Sequence, residues 1–232
     1  MDWFKRKDKQ YFSYDHDIHS HILPGLDDGV KRVEDSVVIV KKMLELGVKQ
    51  FSFTPHISFP SPMNTPEIIL GKLNELKERL LKEKIEIEAD AGAEYKIGEY
   101  MIDLIRQGNI ASFHGGKVLV EHSFVAPSPA FEEVIFRLQD KGYTPVLAHP
   151  ERYPFYMKHL TERVWELKRR GCRIQVNLLS FVGFYGKEAM AGARELLVAR
   201  LIDYFPGDIH SVKQAELLEK FLKSKESEKL LV

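Results

Sequence analysis

Short β-rich runs alternate with longer stretches of helical period along most of this 232-residue chain. The β-rich runs fall at 14–22, 50–56, 85–94, 117–122, 144–149, 173–179 and 203–210. Between them the spacing of apolar residues predicts helices at 33–46, 66–83, 100–107, 129–141, 160–170, 187–199 and 212–222. In the first helix Val37, Val40, Met43 and Leu44 make an apolar stripe, and Gly47 supplies a stop signal. Gly142 and Gly171 end helices in the same way, just ahead of strands. Strands that alternate with helices predict parallel pairing. No linker, repeat or shift in composition breaks the pattern. One domain is therefore expected over 14–232, behind an N-terminal extension at 1–13.

The polar residues fall in a second pattern. Nearly every predicted strand ends in a side chain able to bind a metal: His19 and His21, His56, Glu94, Glu121, His149, Asp208 and His210. Asp28 follows just beyond the first strand. Alternate residues of a strand share a face, so His19 pairs with His21 and Asp208 with His210. In parallel α/β barrels the active site gathers at the C-terminal ends of the strands. An open doubly wound sheet would instead collect such residues at one switch point. The expectation is an α/β fold: a closed or nearly closed barrel of seven strands.

Five imidazoles and four carboxylates suit Mn, Fe or Zn better than Ca or Mg, which prefer all-oxygen shells. Nine donors exceed the need of one ion, which implies two or three clustered divalent metals. Such a cluster would outweigh four carboxylates and leave a cationic pocket suited to a phosphate monoester. Arg152, three residues beyond His149, could add a fork of donors to the phosphate. A lone histidine is usually structural; the recurrence at strand ends carries this assignment. His16, His114, His122 and His159 fit no paired spacing and receive no role.

Composition then removes alternatives. Lys plus Arg equals Asp plus Glu, at 34 each, so no basic field argues for nucleic acid. No apolar run is long enough to cross a bilayer and the first residues lack a signal-peptide core, which predicts a cytoplasmic protein without membrane insertion. The single Cys172 excludes a disulfide framework and a thiolate zinc cluster. A covalent cysteine phosphatase would need an arginine six residues after the thiol, where this chain has Leu178. Aromatics at Phe59, Tyr153, Phe155, Tyr156, Phe181, Phe184 and Tyr185 either line a slot for a phenyl ring or pack the loops over the barrel mouth. The stretch 61–66 reads as a rigid loop at the rim.

His19-x-His21, Thr54-Pro55-His56, Gly92-Ala93-Glu94, Glu121, His149-Pro150-Glu151-Arg152 and Asp208-x-His210 resemble, in order, the motifs of the polymerase-and-histidinol-phosphatase (PHP) superfamily. The string from Asp17 to Gly29 is similar to the PHP-type bacterial tyrosine-protein phosphatases of capsule and exopolysaccharide loci. This resemblance implies a distorted seven-stranded (β/α) barrel around a trinuclear metal centre. It implies one metal on His19, His21, Glu94 and Asp208. A second would share Glu94 and take Glu121 and His149, and a third would take Asp28, His56 and His210. Arg152 matches an arginine that binds the substrate phosphate. Some relatives carry a further arginine after the last motif, where Lys213 stands here, so Lys213 is the candidate for that place. His122 is a candidate extra ligand or acid, although it should point away from the face of Glu121.

The implied substrate is phosphotyrosine on a protein, namely a cytoplasmic tyrosine kinase that controls polysaccharide export. The expected mechanism is one-step attack by a metal-bridging hydroxide, with Arg152 neutralising charge on the phosphoryl oxygens. A small-molecule phosphatase of the histidinol-phosphate type is the alternative.

Overall fold

Proline has no N–H to donate to a ladder, and Pro55 sits inside the run predicted at 50–56. In the computed structural model, which describes residues 14–58 and 64–230, that run is cut in two. The strands are β1 (His16–Asp17), β2 (Gln50–Phe53), β3 (His56–Ile57) and β4 (Glu88–Ala91). They continue as β5 (Glu94–Lys96), β6 (Lys117–Glu121), β7 (Thr144–Leu147) and β8 (Arg173–Ile174). The expected extension at 1–13, Phe59, and residues 61–63 of the expected rim loop lie outside the described residues.

The pairing is parallel throughout, in a three-stranded sheet of order β1-β2-β4 and a five-stranded sheet of order β3-β5-β6-β7-β8. The sequence predicts a closed or nearly closed barrel of seven strands; the parallel α/β order holds, but the described strands form two separate sheets. Two predicted strands are each broken, one at Thr54-Pro55 and one at Gly92-Ala93, and a third forms no strand at all, which leaves eight strands in two sheets among the described residues. Single bonds span the breaks: Thr54 N–H to Ser20 O at 3.1 Å, Gly92 N–H to Phe53 O at 2.9 Å, and Glu94 N–H to Pro55 O at 3.1 Å. The run predicted at 203–210 makes no strand. Pro206 interrupts it and Asp208 takes a positive φ of 50°, so only the isolated bridges Gln175↔Tyr204 and Ser20↔Ile209 form. The run at 173–179 is likewise short, because Leu178–Val182 coils into a 3₁₀ helix.

The helices are α1 (Val33–Glu45), α2 (Pro66–Leu81), α3 (Glu99–Gln107), α4 (Phe131–Asp140), α5 (Leu160–Arg169), α6 (Lys187–Val198) and α7 (Val212–Leu222). A short α8 (Lys225–Leu230) adds one that the pattern did not predict. In α1 the buried face includes Val37, Val40 and Met43, and the α2 N-terminus is capped by Thr65 Oγ1 with Pro66 as its first residue. Along β6, Val118 and Val120 join the large core that packs the sheets against helices, while Leu119 faces a separate cluster with Ile18, Phe113, Val146 and Ala148. That alternation gives the sheets a second buried face, each fully buried aliphatic side chain contributing about 1.5–3 kcal/mol. Among the described residues no helix is long and apolar enough to cross a membrane.

Asp17 joins the two ends of the chain. Its Oδ2 accepts from Tyr14 Oη at 2.6 Å and from Gly207 N–H at 2.9 Å, and its Oδ1 accepts from His19 N–H at 3.0 Å. Backbone bonds continue the seam: Asp208 N–H to His19 O and His21 N–H to Ile209 O, both 2.9 Å. A Cβ on Gly207 would stand 3.0 Å from Tyr14 Oη and 2.8 Å from Ile209 Cγ1, so the close approach favours glycine. The seam sets the first and last histidine motifs side by side.

Candidate active site

Parallel strands end on one side, and the residues at or just beyond the ends of β1, β2, β4, β6 and β7 converge there, His56 and Glu94 being also the first residues of β3 and β5. His19 and His21 are fully buried, and their Nε2 atoms face each other at 3.0 Å. His19 Nδ1 is 3.0 Å from Gln175 Oε1, and His21 Nδ1 is 2.7 Å from Asp27 Oδ2. Both partners are acceptors, so each Nδ1 carries the proton and each Nε2 turns its lone pair inward. Those lone pairs meet Glu94 Oε2 at 3.1 and 3.2 Å and Asp208 Oδ1 at 3.3 and 3.4 Å. Four acceptor atoms pointing at one another in a buried space require a cation or bound protons between them.

The other residues extend this floor. His149 Nε2 lies 3.0 Å from Glu94 Oε1. His56 Nδ1 is 3.2 Å from Glu94 Oε2 and 3.5 Å from Glu121 Oε1, outside hydrogen-bond geometry, and is buried without a partner among the described residues. Asp28 Oδ1 stands 3.7 Å from His56 Nε2 and 3.6 Å from His210 Nε2. His210 Nδ1 points at its own motif's Asp208 carbonyl at 3.0 Å, leaving Nε2 for Asp28. Among the described residues three groups have metal-binding spacing: His19, His21 and Glu94; His56, Glu94 and Glu121; and His21, Asp28, His56 and His210. The sequence reading kept His21 and His56 each in one group, whereas here each stands between two.

Without a cation, protons must serve instead. Burial disfavours charge on His19, but Glu94 and Asp208 overcome it and raise its pKa to about 9. Glu94 is held well below the carboxylate range against its burial, chiefly by His19 and His56. Glu121 is pushed up to about 8 by burial and the neighbouring Glu94 charge, and His149 falls to about 4 through burial and Arg152. The opposed directions show how strongly these groups act on one another across the cluster, and its inward-facing imidazole and carboxylate acceptors are the chemistry of a cation site. The donor set therefore fits divalent metal.

Backbone strain accompanies the site. His149 and Asp208 adopt φ of 34° and 50°, unfavourable for residues with a Cβ by about 1–3 kcal/mol each. Gly29 lies so close to His21 that a Cβ there would fall 2.0 Å from the His21 carbonyl oxygen, which lets the 25–30 turn fold onto the histidine.

A cavity of about 360 Å³ opens above the floor, lined by Asp28, His56, Glu94, Glu121, Phe124, His149, Arg152, Tyr185, Asp208, His210 and Gln214. Arg152 Nη1 donates to Asp208 Oδ2 at 2.9 Å, and its guanidinium lies 3.9 Å from the Tyr185 ring centre and 4.8 Å from that of Phe124. Asp208 Oδ2 also accepts from Asn177 Nδ2 at 2.6 Å and Tyr185 Oη at 3.3 Å, which leaves Oδ1 for the floor.

The structure thus brings together all nine residues read as ligands, with Arg152 beside them. It sets Lys213 on the exposed first turn of α7, away from the cavity, where Gln214 stands instead and accepts from His210 N–H at 2.5 Å. His122 points away, with Nε2 3.1 Å from Tyr156 Oη. Of the aromatics, Tyr185 reaches the cavity, while Tyr153, Tyr156 and Phe181 are buried in the core and Phe155 packs against it. Sequence reasoning missed Asp27, Gln175, Asn177 and Phe124. Asp27 had one signal, its place beside Asp28 in a turn; the others had none. Cys172 is buried and its thiol is pushed up to about 12 by burial, which removes it from nucleophilic chemistry.

Residues 15–222 match the family described as capsular polysaccharide synthesis, CpsB/CapC. YwqE of Bacillus subtilis, named a tyrosine-protein phosphatase, is 32% identical over 204 residues, covering 85% of this chain and 78% of that protein. A crystal structure from work on YwqE of Bacillus subtilis and CpsB of Streptococcus pneumoniae, metal-dependent tyrosine phosphatases, is similar at TM-score 0.79 and 29% identity. That match covers 93% of this chain and 90% of the other. Histidinol phosphate phosphatase from Lactococcus lactis shares the fold at TM-score 0.53 and 18% identity, over 90% of this chain and 93% of that one. The chain belongs to the CpsB/CapC family of capsular polysaccharide synthesis proteins.

Proposed function

We propose that this protein is a metal-dependent protein-tyrosine phosphatase acting on a cytoplasmic tyrosine kinase that governs capsule or exopolysaccharide synthesis. The observation that carries the reading is the buried meeting of His19, His21, Glu94 and Asp208 acceptor atoms directly beneath Arg152. Residues 14–232 act as one catalytic domain in this reading. The two sheets, with the bridges Gln175↔Tyr204 and Ser20↔Ile209, make up the wall of a distorted barrel.

His19, His21, Glu94 and Asp208 would hold one divalent ion, and Glu94, Glu121, His149 and His56 a second. Asp28, His56 and His210, with His21 beside them, would hold a third. Mn, Fe and Zn suit this mixture of imidazole and carboxylate. When bound, the ions supply Lewis acidity and make a water nucleophile available at neutral pH. Arg152 would bind the phosphoryl oxygens: it lines the cavity, and among the described residues its hydrogen bond runs from Nη1 to Asp208, which leaves further N–H groups to donate. Tyr185 and Phe124 flank the guanidinium and keep its plane fixed as charge builds on those oxygens. A phenolate leaves readily, since the tyrosine hydroxyl has a pKa of about 10. Lys213, exposed and outside the cavity lining, takes no part in this clamp, and Gln214 lines the cavity in its place.

Side-by-side turnover of a phosphotyrosyl peptide and histidinol phosphate, on one metal-quantified sample, tests the reading. Faster turnover of the peptide is expected. Preference for histidinol phosphate would favour the small-molecule alternative.

A further inference from the structure

The floor of the cavity is deep and polar, but one part of its rim is apolar and exposed. Phe124 is 42% exposed and its neighbour Val125 is 91% exposed. Phe124 lines the cavity, stacks on His149 with ring centroids 5.7 Å apart and 20° between planes, and lies over the Arg152 guanidinium. The ring also meets Tyr153, at 5.6 Å between centroids, and still keeps part of its surface open to solvent.

The loop that presents Phe124 is fastened at both ends by a single residue. His122 N–H donates to Tyr153 Oη at 3.0 Å, and Ser128 N–H donates to His122 Nδ1 at 3.3 Å. With Nδ1 accepting, His122 Nε2 carries the proton and donates to Tyr156 Oη at 3.1 Å. This buried staple, packed against Phe131 and Tyr156, holds the intervening residues as a short arch over the cavity. A fixed aromatic wall loses little freedom when a second ring lies against it.

We propose that Phe124, held by the His122 staple, is the wall that recognises the phenyl ring of phosphotyrosine and makes the site selective for aryl over alkyl phosphate. The proposal deepens the phosphatase reading and rests on it. A tyrosine ester carries its phosphorus a full ring further from the peptide than a serine ester does. His19, His21, Glu94 and Asp208 lie on a buried floor and Phe124 stands at the exposed rim, so a phosphate seated by Arg152 leaves the ester's own ring level with Phe124. Ring-on-ring contact there adds to the aryl substrate alone.

The test uses the full chain loaded with Mn, with metal content measured for each variant. Fluorescence anisotropy would follow binding of one peptide carrying either a phosphonomethyl-phenylalanine or the phosphonate analogue of phosphoserine. Wild type is expected to prefer the aryl probe, Phe124→Ala to reduce that preference about tenfold, and Phe124→Tyr to retain it. An undiminished preference in Phe124→Ala at equal metal content would overturn the proposal. Equal binding of both probes by wild type would remove the aryl wall while leaving a phosphatase. Binding of neither would defeat the phosphatase reading and the proposal with it.

Discussion

At the N-terminal ends of the strands His16 and His114 meet edge to face, with ring centroids 4.9 Å apart. At the C-terminal ends His21 meets His210 at 4.0 Å and His56 at 4.5 Å. The two clusters share residue type and spacing, yet their chemistry differs. His16 Nε2 is satisfied by Ser52 Oγ at 2.9 Å, and His114 Nδ1 by Gln50 Nε2 at 3.0 Å. Each of those rings has a neutral partner that can donate, so no cation is called for. In the active site, Nδ1 atoms of His19 and His21 are occupied from behind by acceptors, and their lone pairs face carboxylates. Histidines close together do not make a metal centre; carboxylates behind and in front of them do.

The strongest break in this contrast is at Glu94, whose two oxygens face His19, His21, His56 and His149. Glu94→Gln should abolish stoichiometric metal binding and reduce phosphotyrosyl-peptide turnover well beyond the roughly 10–100-fold typical of outer-shell changes. Elemental analysis paired with kinetics checks it. Next comes Arg152→Ala, expected to keep its metal but lose about 10²–10³-fold in turnover. Arg152→Lys should recover little, because an ammonium neither forks nor stacks between Tyr185 and Phe124. Unchanged kinetics would take Arg152 out of the chemistry.

Asp27 tests the shell behind the metal. Its carboxylate orients His21 and also accepts from His56 N–H at 2.9 Å and Gly29 N–H at 2.9 Å. Asp27→Asn should weaken metal affinity roughly 10–100-fold, measured by competition with a chelating dye. The smallest effect belongs to the other end of the strands. His16→Ala should cost about 1 kcal/mol of stability in a denaturant titration and leave metal content at the wild-type value. A loss of metal in that variant would erase the distinction between the clusters.

How much of this could be read from the chain follows from how directly each residue acts. The site residues at or just beyond β2, β4, β6 and β7 were visible because β-rich runs stop at polar residues, and parallel order then gathers those residues on one side. Helices were legible to within a few residues from apolar spacing, as in α1 and α7. The division into two sheets was not, because it turns on breaks at Pro55, Gly92 and Pro206 that leave no periodic signal. Asp27, Gln175 and Asn177 work through other side chains, so their roles exist only once His21, His19 and Asp208 are in place. Phe124 sits in a loop without period, and nothing in its neighbours announces a cavity.

The central claim is that buried histidine and carboxylate acceptors hold the metals that hydrolyse phosphotyrosine. Turnover of a phosphotyrosyl peptide, followed through removal of metal by a strong chelator and readdition of Mn, tests it most directly. The account predicts loss of turnover on removal and its return on readdition. Full turnover by metal-free protein would contradict it.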